Sequence, residues 1–273
     1  MSNDKAHALN EGIRKLVEQL ASETDAARQS QLFADYLRVC GLFHNYSWHN
    51  CMLIWSNRPD ARHVAGFQTW KKMGRYVKAG SKGIPIFAPM FFKEKNEETG
   101  EELKRIWFKV VYVFDVSQTD GAALPDLPTG CDGDGEPLSE RLLSFARARG
   151  ITVETRKLDG EAKGYAENKG KSIALDSDLG SGERAAVLIH ELSHCLLHFA
   201  ESKPKCKQRE LEAEATAFVV ASHFGLAPQS GFYLASYGVT AADLLDSLET
   251  IQATAAVIIN ACQSRPEPVN VAA

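Results

Sequence analysis

The chain has 273 residues, 44% of them hydrophobic, which is enough to bury the core of one large or two small domains. Its formal net charge of -4 gives no global sign of a nucleic-acid protein, although averaging can hide a local basic patch. No run of about 18 apolar residues and no apolar signal core is present, so a membrane partner is excluded and the cytoplasm is the expected compartment. The six cysteines are scattered without a CxxC pair, which argues against both a disulfide framework and a cysteine metal site.

Helix formers run from about Ala6 to Tyr46, with Ile13, Leu16, Val17 and Leu20 and then Leu32, Tyr36 and Leu37 at helical spacing. Ser47 to Trp55 continues as helix until Arg58-Pro59-Asp60 ends it. A basic, glycine-punctuated stretch follows, Gly66 to Gly83. Ile84 to Phe92 and Arg105 to Phe114 are aromatic and β-branched runs that predict a long-looped β-hairpin and make the first domain α+β. From Ser117 to Pro137 the composition turns to Gly, Pro, Asp and Thr, which marks a linker.

The resulting division is a first domain over 1–118, a linker over 119–137, a second domain over 138–263 and a disordered tail over 264–273. In the second domain Ser139 is the expected cap of a helix running to Arg149, and Ile151 to Thr155 is a strand. A hairpin follows, Gly164 to Glu167 with Ser172 to Leu175, turning at Asn168-Lys169-Gly170. Helices are then expected over Gly182 to Phe199, Lys207 to Phe224 and Ala241 to Ala261, the last capped by Thr240.

The strongest chemical signal is H-E-x-x-H in the apolar window AAVLIHELSHCLLH. The i, i+4 spacing puts His190 and His194 on one helical face, where two imidazoles can grip one ion, while Glu191 points to a neighbouring direction suited to acting on water beside it. The bland alternative is a pair of buried histidines satisfied by carbonyl groups. A catalytic zinc takes a third protein ligand, and RELEAEATAFVVASHFGL offers Glu210, Glu212 and Glu214. Spacing from Leu211 and Phe218 turns Glu214 inward and makes it the preferred ligand, with Glu210 second and Glu212 facing solvent. His198 is read as supporting or structural. His223, Tyr233 and Tyr237 are candidates for an oxyanion-stabilising donor. The strand Ser172 to Leu175 is the expected edge for an extended peptide.

A second signal lies between Gly41 and Lys93, where eight basic residues face Asp60 alone, about +7 in net charge. Arg58, Arg62, Lys71, Lys72, Arg75, Lys78 and Lys82 interleave there with aromatic residues, the pairing of cations and flat rings that single strands require. Trp48, Met52 and Trp55 share a helical face and belong to a core. Trp70 and Tyr76 adjoin cations and are the candidate stacking residues.

The stretch NYSWHNCMLIWSNRPDARHVAGFQTWKKMGRYVKAGSKGIPIFAPM, the later VFDVSQT, and GYAENKGKSIAL, HELSH and ELEAEATAFVV resemble the ArdC-type antirestriction proteins. That resemblance implies an N-terminal single-stranded DNA-binding domain, a C-terminal zincin-like metallopeptidase domain, and protection of incoming plasmid or phage DNA from host restriction. HELSH is shared with other zincins, including ImmA/IrrE-like proteases, whose third ligand is a glutamate on the following helix. The likeness again favours Glu214. It implies one Zn2+ per chain, or another divalent ion such as Mn2+, and a protein or peptide substrate, a host restriction component among the candidates. The competing reading is a non-enzymatic protein that coats single strands and uses the metal structurally.

Overall fold

The computed structural model describes residues 2–23, 26–95, 102–122, 135–160, 162–199, 206–226 and 240–263. The helical lead-in is two helices, α1 (Ser2–Ser22) and α2 (Ala26–Leu42). Helix α3 (Trp48–Asn57) starts at Ser47, whose side chain accepts from the Asn50 N–H. The basic stretch folds as β1 (Val64–Gly66), the short α4 (Phe67–Lys72) and β2 (Arg75–Val77). The predicted hairpin is β3 (Ile84–Lys95) with β4 (Glu102–Asp115), antiparallel throughout, and β1 adds to the other side of β4 to give the order β1-β4-β3.

The corner after β4 is built by Asp115, which is buried. Its carboxylate accepts from the backbone of Arg62, His63 and Ser117 and from the Ser117 hydroxyl. Burial pushes this carboxyl up, but those four hydrogen bonds together outweigh it and hold it below the usual carboxylate range. Residues 119–121, expected to open the linker, instead form β5 (Thr119–Gly121) and pair with β2. Composition hid this because the pairing is long-range. The rest of the expected linker from 123 to 134 lies outside the described residues, as does the tail from 264.

Helix α5 (Glu136–Ala148) starts three residues ahead of Ser139, which is therefore inside the helix and not its cap. Strands β6 (Thr152–Arg156), β7 (Gly164–Glu167) and β8 (Ser172–Asp176) form a sheet ordered β6-β8-β7, with β6 parallel and β7 antiparallel to β8. At the β7–β8 turn Lys169 has φ 54° and Gly170 φ 78°. A Cβ on Gly170 would lie 2.7 Å from the Phe199 ring.

Three helices complete the chain, α6 (Ser181–Leu197), α7 (Cys206–His223) and α8 (Ala241–Cys262), the last opened by a reciprocal Thr240–Asp243 capping box. Helix α7 is the centre of the molecule: Leu211, Ala213, Ala215, Ala217, Phe218, Val219, Val220 and Ala221 are all buried. It contacts α2, α6 and α8, so the lead-in helices and the second domain share one continuous core. Gly41 makes this approach possible, since a Cβ there would lie 2.8 Å from the Val219 carbonyl oxygen. Cys40, Cys51 and Cys262 are buried free thiols and Cys195 is half-buried. No helix among the described residues is long and apolar enough to cross a membrane.

Candidate metal centre

Helix α6 lies on the β6-β8-β7 sheet by one face and against α7 by another. The i, i+4 pair therefore faces α7, and the Nε2 atoms of His190 and His194 come within 3.0 Å of each other. The carboxylate that meets them is Glu210, whose Oε2 lies 3.7 Å from His190 Nε2 and 3.6 Å from His194 Nε2. Three ligands held about 2.0–2.1 Å from a tetrahedral ion are about 3.3 Å apart, so these three atoms need move only by tenths of an ångström to hold one. Two imidazoles and one carboxylate suit a divalent ion of the zinc or manganese kind.

The structure thus brings Glu210, second in the sequence-based preference, closer to both Nε2 atoms than the expected Glu214. Glu214 is turned toward the ring's other edge, with Oε2 3.1 Å from His190 Nδ1, where it orients the imidazole. The expectation for Glu212 also fails: it is 4% exposed and bonded to His198 and Ser247. Both departures from expectation have one cause. The helical-face argument assumed an inner and an outer side, and α7 is enclosed by three helices and has no broad solvent face.

The electrostatics fit a site prepared for a cation. Burial pulls His190 down, but hydrogen bonds to Glu210 and Glu214 and the charge of Glu191 prevail and raise it to about 9. Hydrogen bonds from His190 and His194 hold Glu210 far below the usual carboxylate range. Glu191 moves the other way: burial foremost, with the Glu210 charge, raises it, against the lowering effect of both histidines and of the Ala166 N–H that it accepts. A carboxylate raised toward neutrality is suited to taking and returning a proton. Beside it a cavity of about 420 Å³ is lined by Lys163, Val187, Glu191, Ala217 and Phe218, among others, with the Lys163–Glu183 ion pair at its wall.

The bond from Ala166 also shows that the outward edge of β7 is turned toward Glu191. The expected peptide-binding strand, Ser172 to Leu175, is β8, which is paired on both sides and offers no edge. His223 is not near the centre either; its Nδ1 lies 2.8 Å from the Gly41 carbonyl oxygen, between α7 and α2. Tyr233 and Tyr237 lie outside the described residues.

The basic region is divided by the fold. Trp70 is 2% exposed and donates its indole N–H to the Phe114 carbonyl, so it belongs to the core and cannot stack on a base. Arg75 is bonded to Thr119, Gly121 and Ala122, Lys78 to Ser117 and Asp120, and Arg58 to Ser117 and Asp60. Arg62, Lys71, Lys72, Lys82 and Tyr76 are exposed. Sequence reasoning missed the outer half of the hairpin, where Phe91 (72% exposed), Phe108 (60%), Trp107 (56%) and Ile106 face solvent, with Tyr112 exposed nearer its base. The signal was available: both alternating faces of IWFKVVYVF are apolar, and a core can cover only one along its full length.

Comparison with known proteins assigns both halves. The family model for the N-terminal domain of the anti-restriction factor ArdC matches residues 8–114, and that for the IrrE N-terminal-like domain, peptidase family M78, matches residues 146–237. An uncharacterized protein of Bacillus anthracis is 26% identical over 269 residues, covering 80% of this chain, which in turn spans 45% of that relative's length. The crystal structure of the antirestriction ArdC protein from the R388 plasmid in its metal-free form has the same fold, with a TM-score of 0.57 and 21% identity, covering 79% of this chain and 83% of that one. Its Mn(II)-bound form gives a TM-score of 0.52 at 20% identity with the same coverage. The two domain models, in this order, give the chain the domain organisation of an ArdC-type protein.

Proposed function

We propose that the chain is an antirestriction protein that binds single-stranded DNA through its first domain and carries a zinc-dependent metallopeptidase site in its second. The observation that carries the second half is the convergence of His190, His194 and Glu210 with Glu191 alongside. A divalent ion held there supplies Lewis-acid polarisation of a carbonyl oxygen and activation of water. Glu191 holds the proton taken from the attacking water on its carboxylate and returns it to the leaving amine nitrogen. The outward edge of β7 beside Glu191, with Gly164 next along it, aligns an extended peptide, and the adjoining cavity receives a side chain.

The first half rests on exposed rings and cations in one domain: Phe91, Trp107, Phe108 and Tyr76 for stacking, Arg62, Lys71, Lys72 and Lys82 for phosphates. A protein or peptide is the substrate class, with host restriction components as candidates.

The reading is tested with Glu191→Gln. Metal content is expected to stay at one ion per chain while peptide cleavage and protection of entering DNA are lost. Protection that persists in this variant favours the alternative of a non-enzymatic coating protein, whose metal site is structural. Single-strand affinity no greater than duplex affinity rejects the first half.

A further inference from the structure

Helix α6 carries a third histidine that the metal centre does not need as a ligand. His198 is 3% exposed, and its Nδ1 lies 2.8 Å from His194 Nδ1 while its Nε2 lies 3.0 Å from Glu212 Oε2. The second carboxylate oxygen, Glu212 Oε1, accepts from Ser247 Oγ at 3.0 Å and from Gln208 Nε2 at 3.3 Å. Ser247 is fully buried on α8.

The protons along this chain of contacts can be placed by elimination. A ring nitrogen that binds a metal is bare, so with Nε2 of His194 facing the ion its proton is on Nδ1. Two ring nitrogens 2.8 Å apart hold one proton between them, because two N–H groups collide and two lone pairs repel. His194 therefore donates to His198, whose own proton is on Nε2 and is donated to Glu212. That carboxylate can only accept, and its free oxygen meets two donors. Each group has one role, and the direction is set from the metal outward.

We propose that His198 and Glu212 are positioning residues, a buried relay that fixes the tautomer and ring orientation of His194 and anchors it to α8 through Ser247. His190 has a carboxylate, Glu214, directly on its Nδ1, whereas His194 reaches its carboxylate through an intervening imidazole. Partners of this kind typically change metal affinity 10- to 100-fold when removed. This inference rests on the assignment of His190, His194 and Glu210 as metal ligands.

The test uses the full chain, with Zn(II) affinity measured by chelator competition and thermal unfolding measured in EDTA. His194→Ala is expected to abolish tight binding, His198→Phe to weaken it roughly 10- to 100-fold, and His198→Gln to recover part of the loss because an amide can accept from His194 and donate to Glu212. A merely structural role lowers the unfolding temperature of the metal-free variant and leaves the affinity of its folded fraction unchanged. In the zinc-loaded parent, side-chain ¹⁵N shifts are expected to place the proton on Nδ1 of His194 and on Nε2 of His198, a measurement that does not depend on any variant folding. Parent-like affinity in His198→Phe, or a proton on Nδ1 of His198, overturns the relay while leaving the ligand assignment intact. A parent that binds no zinc overturns both.

Discussion

Glu210 and Glu214 stand one helical turn apart on α7 and address opposite edges of one imidazole. Glu210 Oε2 lies 3.7 Å from His190 Nε2, and Glu214 Oε2 lies 3.1 Å from its Nδ1. The first oxygen shares its space with His194; the second steadies the ring. Glu210→Ala is expected to cost more than about 100-fold in Zn(II) affinity, and Glu214→Ala about 10- to 100-fold, the usual effect of an outer partner. Chelator competition on both variants checks the order, and the reverse order would return Glu214 to the ligand role.

The metal-free centre holds a proton that an ion must displace. His190 is raised to about 9, because Glu210, Glu214 and Glu191 outweigh the burial that acts against its charge. Below that pH an entering ion releases about one proton, and affinity is expected to rise with pH until about 9 and then level off. Calorimetry in buffers of different ionisation enthalpy counts the proton. Stability follows the same sign: a histidine raised in the folded state stabilises fully below its unfolded value of about 6.5 and loses that contribution as pH rises through 9. In EDTA the unfolding temperature should therefore fall across this window, and the fall should be absent in His190→Phe.

Local rules recovered those parts of the molecule that local interactions decide. The spacing of His190 and His194, the Thr240 cap, the β7–β8 turn and both hairpins follow from periodicity and turn chemistry within short windows. What sequence did not disclose depends on enclosure. Helix α7 looks two-sided when read alone but is surrounded, which buries Glu212 and turns Glu210 to the metal position. Trp70 looked like a surface ring because lysines follow it, yet the corner at Phe114 takes its indole N–H. Residues 119–121 read as linker because their β2 partner is over forty positions away.

Two glycines on the first two helices separate propensity from packing. A Cβ at Gly12 of α1 meets nothing within 4 Å, so Gly12→Ala should stabilise by about 0.5–1 kcal/mol. At Gly41 the same atom lies 2.8 Å from the Val219 carbonyl oxygen and would force α2 from α7. Gly41→Ala should destabilise by about 1–3 kcal/mol, the usual cost of overpacking. Because the core is continuous across this contact, one cooperative unfolding transition is expected for the parent, and two separate transitions would show that the domains unfold independently.

Stacking and phosphate contacts in the first domain can be told apart by salt. Phe108 and Trp107 lie on adjacent positions of β4 and so on opposite faces of the hairpin, and both are exposed. A base stacked on a ring contributes about 1–3 kcal/mol, so Phe108→Ala or Trp107→Ala should weaken single-strand binding by roughly tenfold at every salt concentration, and the ring that matters identifies the binding face. Lys71→Ala and Lys72→Ala should weaken binding most at low salt and reduce the slope of log affinity against log salt by about 0.7 each. Trp70→Phe removes a buried hydrogen bond and should lower the unfolding temperature while leaving the affinity of the folded protein unchanged. If the hairpin variants bind like the parent while Tyr76→Ala does not, the strand runs over the β2 side instead, past Lys71 and Lys72.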